Sequence, residues 1–222
     1  MRSPFSALYL FLFVIIIGFL MAFVQIGILT IAFDKLGLSS QSAFLLLFCS
    51  LFGSAINLPL FTVNAERPPV EELPRELRGL LQRTMREFNG KTLIAMNVGG
   101  CLIPVFFSAY LIRHNPLDFG QVLIAIAIVA VICNMASRPI PGLGIGMPIF
   151  IAPITAAVVA MVIGQENSAP LAYICGTIGV LIGADLMRLK DIRKMGTPIA
   201  SIGGAGTFDG IFLTGIVAVL LA

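Results

Sequence analysis

The sequence predicts an all-α membrane protein, a polytopic bundle of seven transmembrane helices with its N-terminus inside and its C-terminus outside. Two observations predict the class: hydrophobic residues make up 58% of the 222 residues and charged residues only 11%, and the mean hydropathy is +1.02. A soluble domain carries roughly 25% charged residues, so this chain lacks the polar side chains that a water-exposed surface needs. We therefore expect a multi-pass protein of the cell (plasma) membrane, with the lipid bilayer as its main partner.

Seven apolar runs approach the length of roughly 20 residues that a helix needs to cross the hydrocarbon core. They cover residues 5–33, 43–63, 92–112, 121–136, 148–163, 171–187 and 206–222. The first run is longer than the apolar core of a signal peptide and lacks a clear cleavage site, so we expect it to be a retained helix.

The positions of Lys and Arg predict the orientation. Of the 14 basic residues, all except Lys35 and Arg113 fall at the N-terminus or in the second, fourth and sixth connections. Basic residues accumulate on the cytoplasmic side of a membrane protein. This asymmetry places the N-terminus inside and supports the number of spans, because one false or missing span would scramble it.

Two connecting segments have unusual composition. Residues 64–91 are polar and basic, with leucines at helical spacing and arginines largely on the opposite face, which predicts an amphipathic helix on the cytoplasmic membrane surface. This segment is either a linker that anchors the topology or a regulatory, partner-binding surface. Residues 138–148 combine three prolines and three glycines in an apolar stretch, which predicts an irregular, re-entrant or tightly packed elbow.

The composition excludes several classes of site. The four cysteines each lie in a different apolar run, and His114 is the one histidine, so neither a zinc site nor a disulfide scaffold is predicted. The chain shows no nucleotide-binding loop and no nucleic-acid patch. We expect no metal and no cofactor.

Two acidic residues fall within or at the edge of predicted spans, where ionisable groups are costly and often functional. Asp185 lies near the inner end of the sixth run, and Asp209 near the inner end of the seventh. Asp185 has a structural alternative, an ion pair with Arg188 three residues later. Asp209 could instead cap the start of its helix or set the packing.

Asp185 and Asp209 belong to consecutive helices joined by one short basic loop, so both are expected at the cytoplasmic end and could face each other. Two carboxylates in a poorly hydrated site share a proton, which lets one activate water and the other donate a proton. Around this catalytic pair, glycines would give access to the backbone of another helix or of an extended substrate chain, and amides would line an inner cavity or bond to neighbouring helices. These residues are Gly203, Gly204, Gly206, Asn57 and Asn134.

The placement of Asp185 in the sixth helix and of Asp209 after Gly204-Ala-Gly206 in the seventh resembles the intramembrane aspartyl proteases of the presenilin and signal-peptide-peptidase group. The resemblance covers about residues 183–213 and implies a hydrolase that cleaves membrane peptides. This chain departs from the group's pattern, because two extra residues separate Gly-x-Gly from Asp209 and Ala184 replaces the usual tyrosine. The whole chain also resembles an uncharacterised family of prokaryotic multi-pass membrane proteins, which implies a fold but no activity.

Two other functions stay open. A small ion- or proton-coupled transporter or flippase would use Asp209 as its buried site, and its small size would favour a homodimer. A non-enzymatic membrane scaffold would use Asp209 only for packing. The substrate of a hydrolase would be a membrane peptide or a lipid, and no nucleic acid is expected as a partner.

Overall fold

Apolar helices dominate the computed structural model, which describes residues 13–19, 28–66, 88–142, 144–204 and 210–222. Besides helical residues 13–19, the helices are α1 (Ile28–Lys35), α2 (Ser40–Gly53), α3 (Ile103–His114), α4 (Phe119–Ala136), α5 (Ile151–Gly164), α6 (Ser168–Val180) and α7 (Gly210–Leu221). A π-helical segment, Val98–Leu102, leads into α3, and a second one, Leu181–Leu186, extends α6. Short 3-10 turns lie at Gln165–Asn167 and Asp191–Lys194.

Five short strands within the described ranges form two small sheets. The strands are β1 (Asn57–Asn64), β2 (Lys91–Asn97), β3 (Arg138–Ile140), β4 (Gly144–Gly146) and β5 (Ile199–Ile202). In the larger sheet, β2 is central and pairs antiparallel with β1 and parallel with β5. β3 and β4 form a separate antiparallel hairpin.

Helix α6 lies at the centre of the helical core. Its side chains are buried along almost the whole length, including Leu171, Tyr173 and Ile174 at 0% exposure. A Cβ atom on Gly176 would lie 3.1 Å from the Cβ of Ala156 in α5, so the helices pack through small residues. Such contacts let backbones approach closely and are common between membrane helices.

By length and apolar composition alone, two helical stretches among the described residues could cross a membrane, Phe119–Ala136 and Ile151–Leu186. The second stretch is 36 residues long, but it is a hairpin, because Gln165 has a φ of 40° and α5 packs alongside α6. Only 28% of the first stretch is buried. Large apolar side chains exposed to this extent favour a lipid or protein environment over water.

The all-α prediction is correct only in part, because the predicted spans 43–63 and 92–112 each contain a strand. Helix α2 ends at Gly53, and the remainder of that run forms β1, which contains Pro59 at the edge of the sheet. Residues 92–97 belong to β2, and the helical part begins only after Asn97 caps it. A short apolar run fits a buried strand as well as a helix, so hydropathy could not separate the two.

The other predicted segments agree to different extents. The runs 121–136, 148–163 and 171–187 match α4, α5 and the α6–π unit with shifted ends. The run 206–222 contains α7, and the run 5–33 contains helical residues 13–19 and the first part of α1. The proposed elbow at 138–148 is the β3–β4 hairpin, where Gly142 has a φ of 78°. The amphipathic helix predicted within 64–91 falls largely on residues 67–87, outside the described residues.

Candidate functional site

Asp185 lies in the π-helical segment Leu181–Leu186, where the sixth predicted span ends. The amide of Met187 donates to the carbonyl of Ile182, 2.9 Å away and five residues back, which is the wider spacing of a π-helix. Gly183 faces α4, because a Cβ atom there would lie only 2.1 Å from the carbonyl oxygen of Ala130. π-helical segments of this kind occur frequently at functional sites.

The Asp185 carboxylate is tied to the glycine-rich segment that follows β5. Its Oδ2 atom accepts a hydrogen bond from the backbone amide of Gly203 at 2.7 Å. Arg188, the alternative partner expected from the sequence, instead forms an ion pair with Asp191 at 3.1 Å. The contact with Gly203 therefore orients Asp185 toward the segment that continues to Asp209.

Gly203 and Gly204 have backbone conformations that side chains disfavour, with φ values of 86° and 109°. A Cβ atom on Gly203 would lie 2.6 Å from the carbonyl carbon of Gly100 and 2.7 Å from the amide nitrogen of Cys101. The end of β5 thus packs directly on the backbone of the π segment Val98–Leu102. Gly203 is therefore a point of close backbone packing, whereas the substrate-access role predicted for Gly203 and Gly204 stays a prediction.

Asn57 lies at the same junction, where the sheet meets the helices. Its Oδ1 atom accepts hydrogen bonds from Ser201 Oγ at 2.5 Å and from Asn97 Nδ2 at 3.1 Å. Asn97 also donates to the carbonyl of Ser54 at 2.7 Å and accepts from the amide of Gly100 at 2.8 Å. This network joins β1, β2 and β5 two residues before Gly203.

Asn134 contacts the Asp185 segment from the other side. Its Nδ2 atom donates to the carbonyl of Gly183 at 2.9 Å. Arg188 in turn donates to the carbonyls of Asn134 at 2.6 Å and of Ser137 at 3.0 Å, so it caps the C-terminal end of α4. Asn57 and Asn134 therefore bond to neighbouring backbone and side chains, which is the alternative that the sequence left open for them.

The pairing of α6 with α7 is antiparallel, and its register leads toward Asp185. Ser168 Oγ donates to the carbonyl of Ala222 at 3.3 Å, and Gly176 lies against Gly215 and Ala218. Residues later in α6 contact residues earlier in α7, and the contact between Asp185 and Gly203 follows the same antiparallel order. Asp209 and Gly206, both predicted site residues, lie outside the described residues.

Three residues of this junction were not predicted as site residues, namely Asn97, Ser201 and Arg188. The pattern Asn97-Val-Gly-Gly100 could have indicated the cap, because Asn is a preferred N-cap residue. No local pattern marks Ser201, because its contact with Asn57 spans 144 residues. The sequence offered Arg188 as an ion-pair partner of Asp185, not as a hydrogen-bond donor to the end of α4.

The described side chains of the junction supply carboxylate and amide groups. In the described part of the chain, no group of three His, Cys, Asp or Glu residues could hold a metal ion. Of the four cysteines, Cys49 is exposed and the other three are buried. The junction therefore presents one oriented carboxylate beside backbone amides and side-chain amides.

A scan against protein families matches residues 51–221 to the protein family of unknown function DUF1614. This chain belongs to the DUF1614 family. The matched range contains all five strands and every residue of the junction. No curated protein matches the DUF1614 chain, and no solved structure does. The resemblance to an uncharacterised family is confirmed, whereas none of these comparisons shows a resemblance to aspartyl proteases.

Proposed function

We propose that this DUF1614 protein is a seven-span membrane protein, N-terminus inside and C-terminus outside, that hydrolyses membrane-embedded substrates with Asp185 and Asp209. The apolar, largely exposed surface of α4 supports a membrane environment. Helices α2 and α5, of 14 residues each, are shorter than a full span. They would cross together with the irregular segments beside them, which are tolerated where protein covers them.

The hydrogen bond from the Gly203 amide to the Asp185 carboxylate carries this proposal. It attaches Asp185 to the stretch that contains Asp209, and the antiparallel register of α6 and α7 runs in the same direction. In addition, Arg188, the structural partner that the sequence offered for Asp185, forms an ion pair with Asp191 and a hydrogen bond to the end of α4.

In the proposed reaction on a membrane peptide, one carboxylate accepts a proton from water, and the water oxygen attacks the peptide carbonyl. The carboxyl group of the other aspartate donates its proton to the leaving nitrogen as the C–N bond breaks. The products are a carboxylic acid and an amine. Each carboxyl group needs a different protonation state, which a close pair supplies because both cannot easily ionise together.

The activity test uses the full chain reconstituted in vesicles with labelled single-span peptides, and mass spectrometry of the products. D185N and D209N should each lower cleavage by at least about 100-fold, the usual contribution of acid–base groups. D185N is informative because an amide oxygen can still accept from Gly203. The control is E166Q, which removes an exposed acid from the turn Gln165–Asn167, outside the junction, and it should retain cleavage.

A second measurement needs no substrate. With the four native cysteines replaced by alanine, D185C and D209C should form a disulfide under mild oxidation, which requires Cα atoms within about 7 Å. The pair S168C and A222C is the control, because these positions are in contact. If the control pair cross-links and D185C/D209C does not, the proposed aspartate pair is wrong. Cleavage that survives D185N would contradict it as well.

Transport is a second candidate, favoured by the broken helices around Asp185. Two π segments and the left-handed backbone of Gly203 and Gly204 meet at one junction, and interrupted helices often form ion or solute sites in transporters. This function predicts vesicle uptake that D209N abolishes and D185N leaves intact. A scaffold predicts neither uptake nor cleavage.

A further inference from the structure

A cleft lies between the three-stranded sheet and the loop that follows the π segment of Asp185. It has a volume of about 400 Å³ and is lined by Phe61, Val63, Ile94, Leu189, Lys190 and Arg193. The first three residues come from β1 and β2, and the others from the loop after the π segment. A volume of this size lies within the usual range of roughly 300–1,000 Å³ for ligand pockets.

The floor of this cleft is a small hydrophobic core of its own. Ile94, Ile192 and Met195 are buried together, with Val63 and Leu189 packed against them. The sheet and the loop are therefore joined by packing as well as by the hydrogen bond from the Glu66 amide to the Arg193 carbonyl, at 2.7 Å. A floor built in this way holds the two rim cations in place relative to the apolar strand.

The rim of the cleft is basic. Lys190 and Arg193 are exposed, and neither forms an ion pair within the described ranges, where Arg188 takes Asp191. Lys194 is adjacent in sequence, and Lys91 begins β2. One acidic residue, Glu66, is held at this rim by its backbone hydrogen bond to Arg193. Its negative charge opposes the positive charge of the rim. The cleft thus combines cations above with apolar side chains below.

The outer strand beside the cleft is apolar and open. Leu58, Leu60 and Phe61 of β1 are 40%, 47% and 52% exposed, and β1 is an edge strand of its sheet. Apolar side chains exposed to this extent fit the acyl chain of a lipid better than they fit water. We propose that this cleft binds the phosphate headgroup of an anionic phospholipid, with Lys190 and Arg193 on the phosphate and Phe61 against the glycerol and first acyl carbons.

This proposal is independent of the aspartate pair, and native mass spectrometry of the delipidated full chain in detergent tests it. Dioleoyl phosphatidylglycerol and dioleoyl phosphatidylcholine are titrated in parallel. We expect tighter binding of phosphatidylglycerol. K190Q and R193Q should each weaken it about fivefold, the effect of one basic residue at an anionic membrane surface. They should weaken phosphatidylcholine binding less, because the choline ammonium compensates the charge of its phosphate.

Control variants and a competing ligand make the result decisive. R113Q, a matched change of an exposed arginine at the predicted outer side, should leave phosphatidylglycerol affinity unaltered, whereas E66Q should raise it. Equal affinity for both lipids, or a preference that survives the K190Q/R193Q double variant, overturns the proposal. Inorganic phosphate that displaces the lipid at equal concentration would show a free-phosphate site instead and also overturns it.

Discussion

Asn134 donates a hydrogen bond to the carbonyl of Gly183 at 2.9 Å, which joins the last turn of α4 to the π-helical segment that carries Asp185. The wider hydrogen-bond spacing of that segment makes room for a partner from outside the helix. Arg188 closes the arrangement by donating to the carbonyl of Asn134 at 2.6 Å. The position of Asp185 is therefore set by three elements, namely α4, the loop after the π segment, and the end of β5.

Removal of the Asn134 amide should loosen this arrangement. N134A leaves the Gly183 carbonyl without this donor, and we expect a loss of about 1 kcal/mol in the free energy of unfolding, as for a typical partly buried hydrogen bond. The measurement is denaturant unfolding in detergent micelles, combined with the cleavage assay. The control is N115A, because Asn115 bonds within its own helix end to the Leu111 carbonyl. Equal cleavage by N134A and N115A would contradict a role for Asn134 in positioning Asp185.

A side chain at position 183 should separate α4 from the π segment. In G183A the new Cβ atom would meet the Ala130 carbonyl oxygen at 2.1 Å and its carbon at 2.9 Å, and both belong to backbone that yields little. We expect a destabilisation of about 1–3 kcal/mol, typical of an overpacked contact. G18A is the matched control, because no atom of the described residues lies within 4 Å of a Cβ atom there. Equal melting temperatures for the two variants would show that the contact is looser than described.

The sequence was informative wherever a single periodic pattern decided the structure. The apolar runs that became α4, α5 and α6 were predicted because length and composition suffice for a helix of that kind. The strand Lys91–Asn97 was missed because a short apolar run fits a buried strand as well as it fits a segment of a membrane helix. The partner of Arg188 was also beyond local reasoning, since Asp185 and Asp191 stand at equal distance from it along the chain. Tertiary packing of α4 decides between them.

The contact between Asn57 and Ser201 should contribute to stability as a pair. Their 2.5 Å hydrogen bond joins β1 to β5 across 144 residues of sequence. A double-mutant cycle with N57A and S201A should give a coupling energy of about 1 kcal/mol. The control cycle pairs N57A with S39A, because exposed Ser39 bonds locally to Ser42, and its effects should add. Additivity in both cycles would mean that the Asn57–Ser201 bond contributes nothing measurable.

The predicted orientation can be tested with two exposed basic positions. R113C, at the end of α3, should react with a membrane-impermeant maleimide applied to intact cells, because Arg113 is one of two basic residues expected outside. K194C, in the turn Asp191–Lys194, should react only after the membrane is opened. Both variants are made without native cysteines, so that exposed Cys49 adds no signal. Labelling of K194C from outside would show that the predicted orientation is wrong and that the cleft and the Asp185 junction lie on the outer side. The basic rim would then face the leaflet opposite to the one that its charge favours, since the cytoplasmic leaflet holds the anionic lipid.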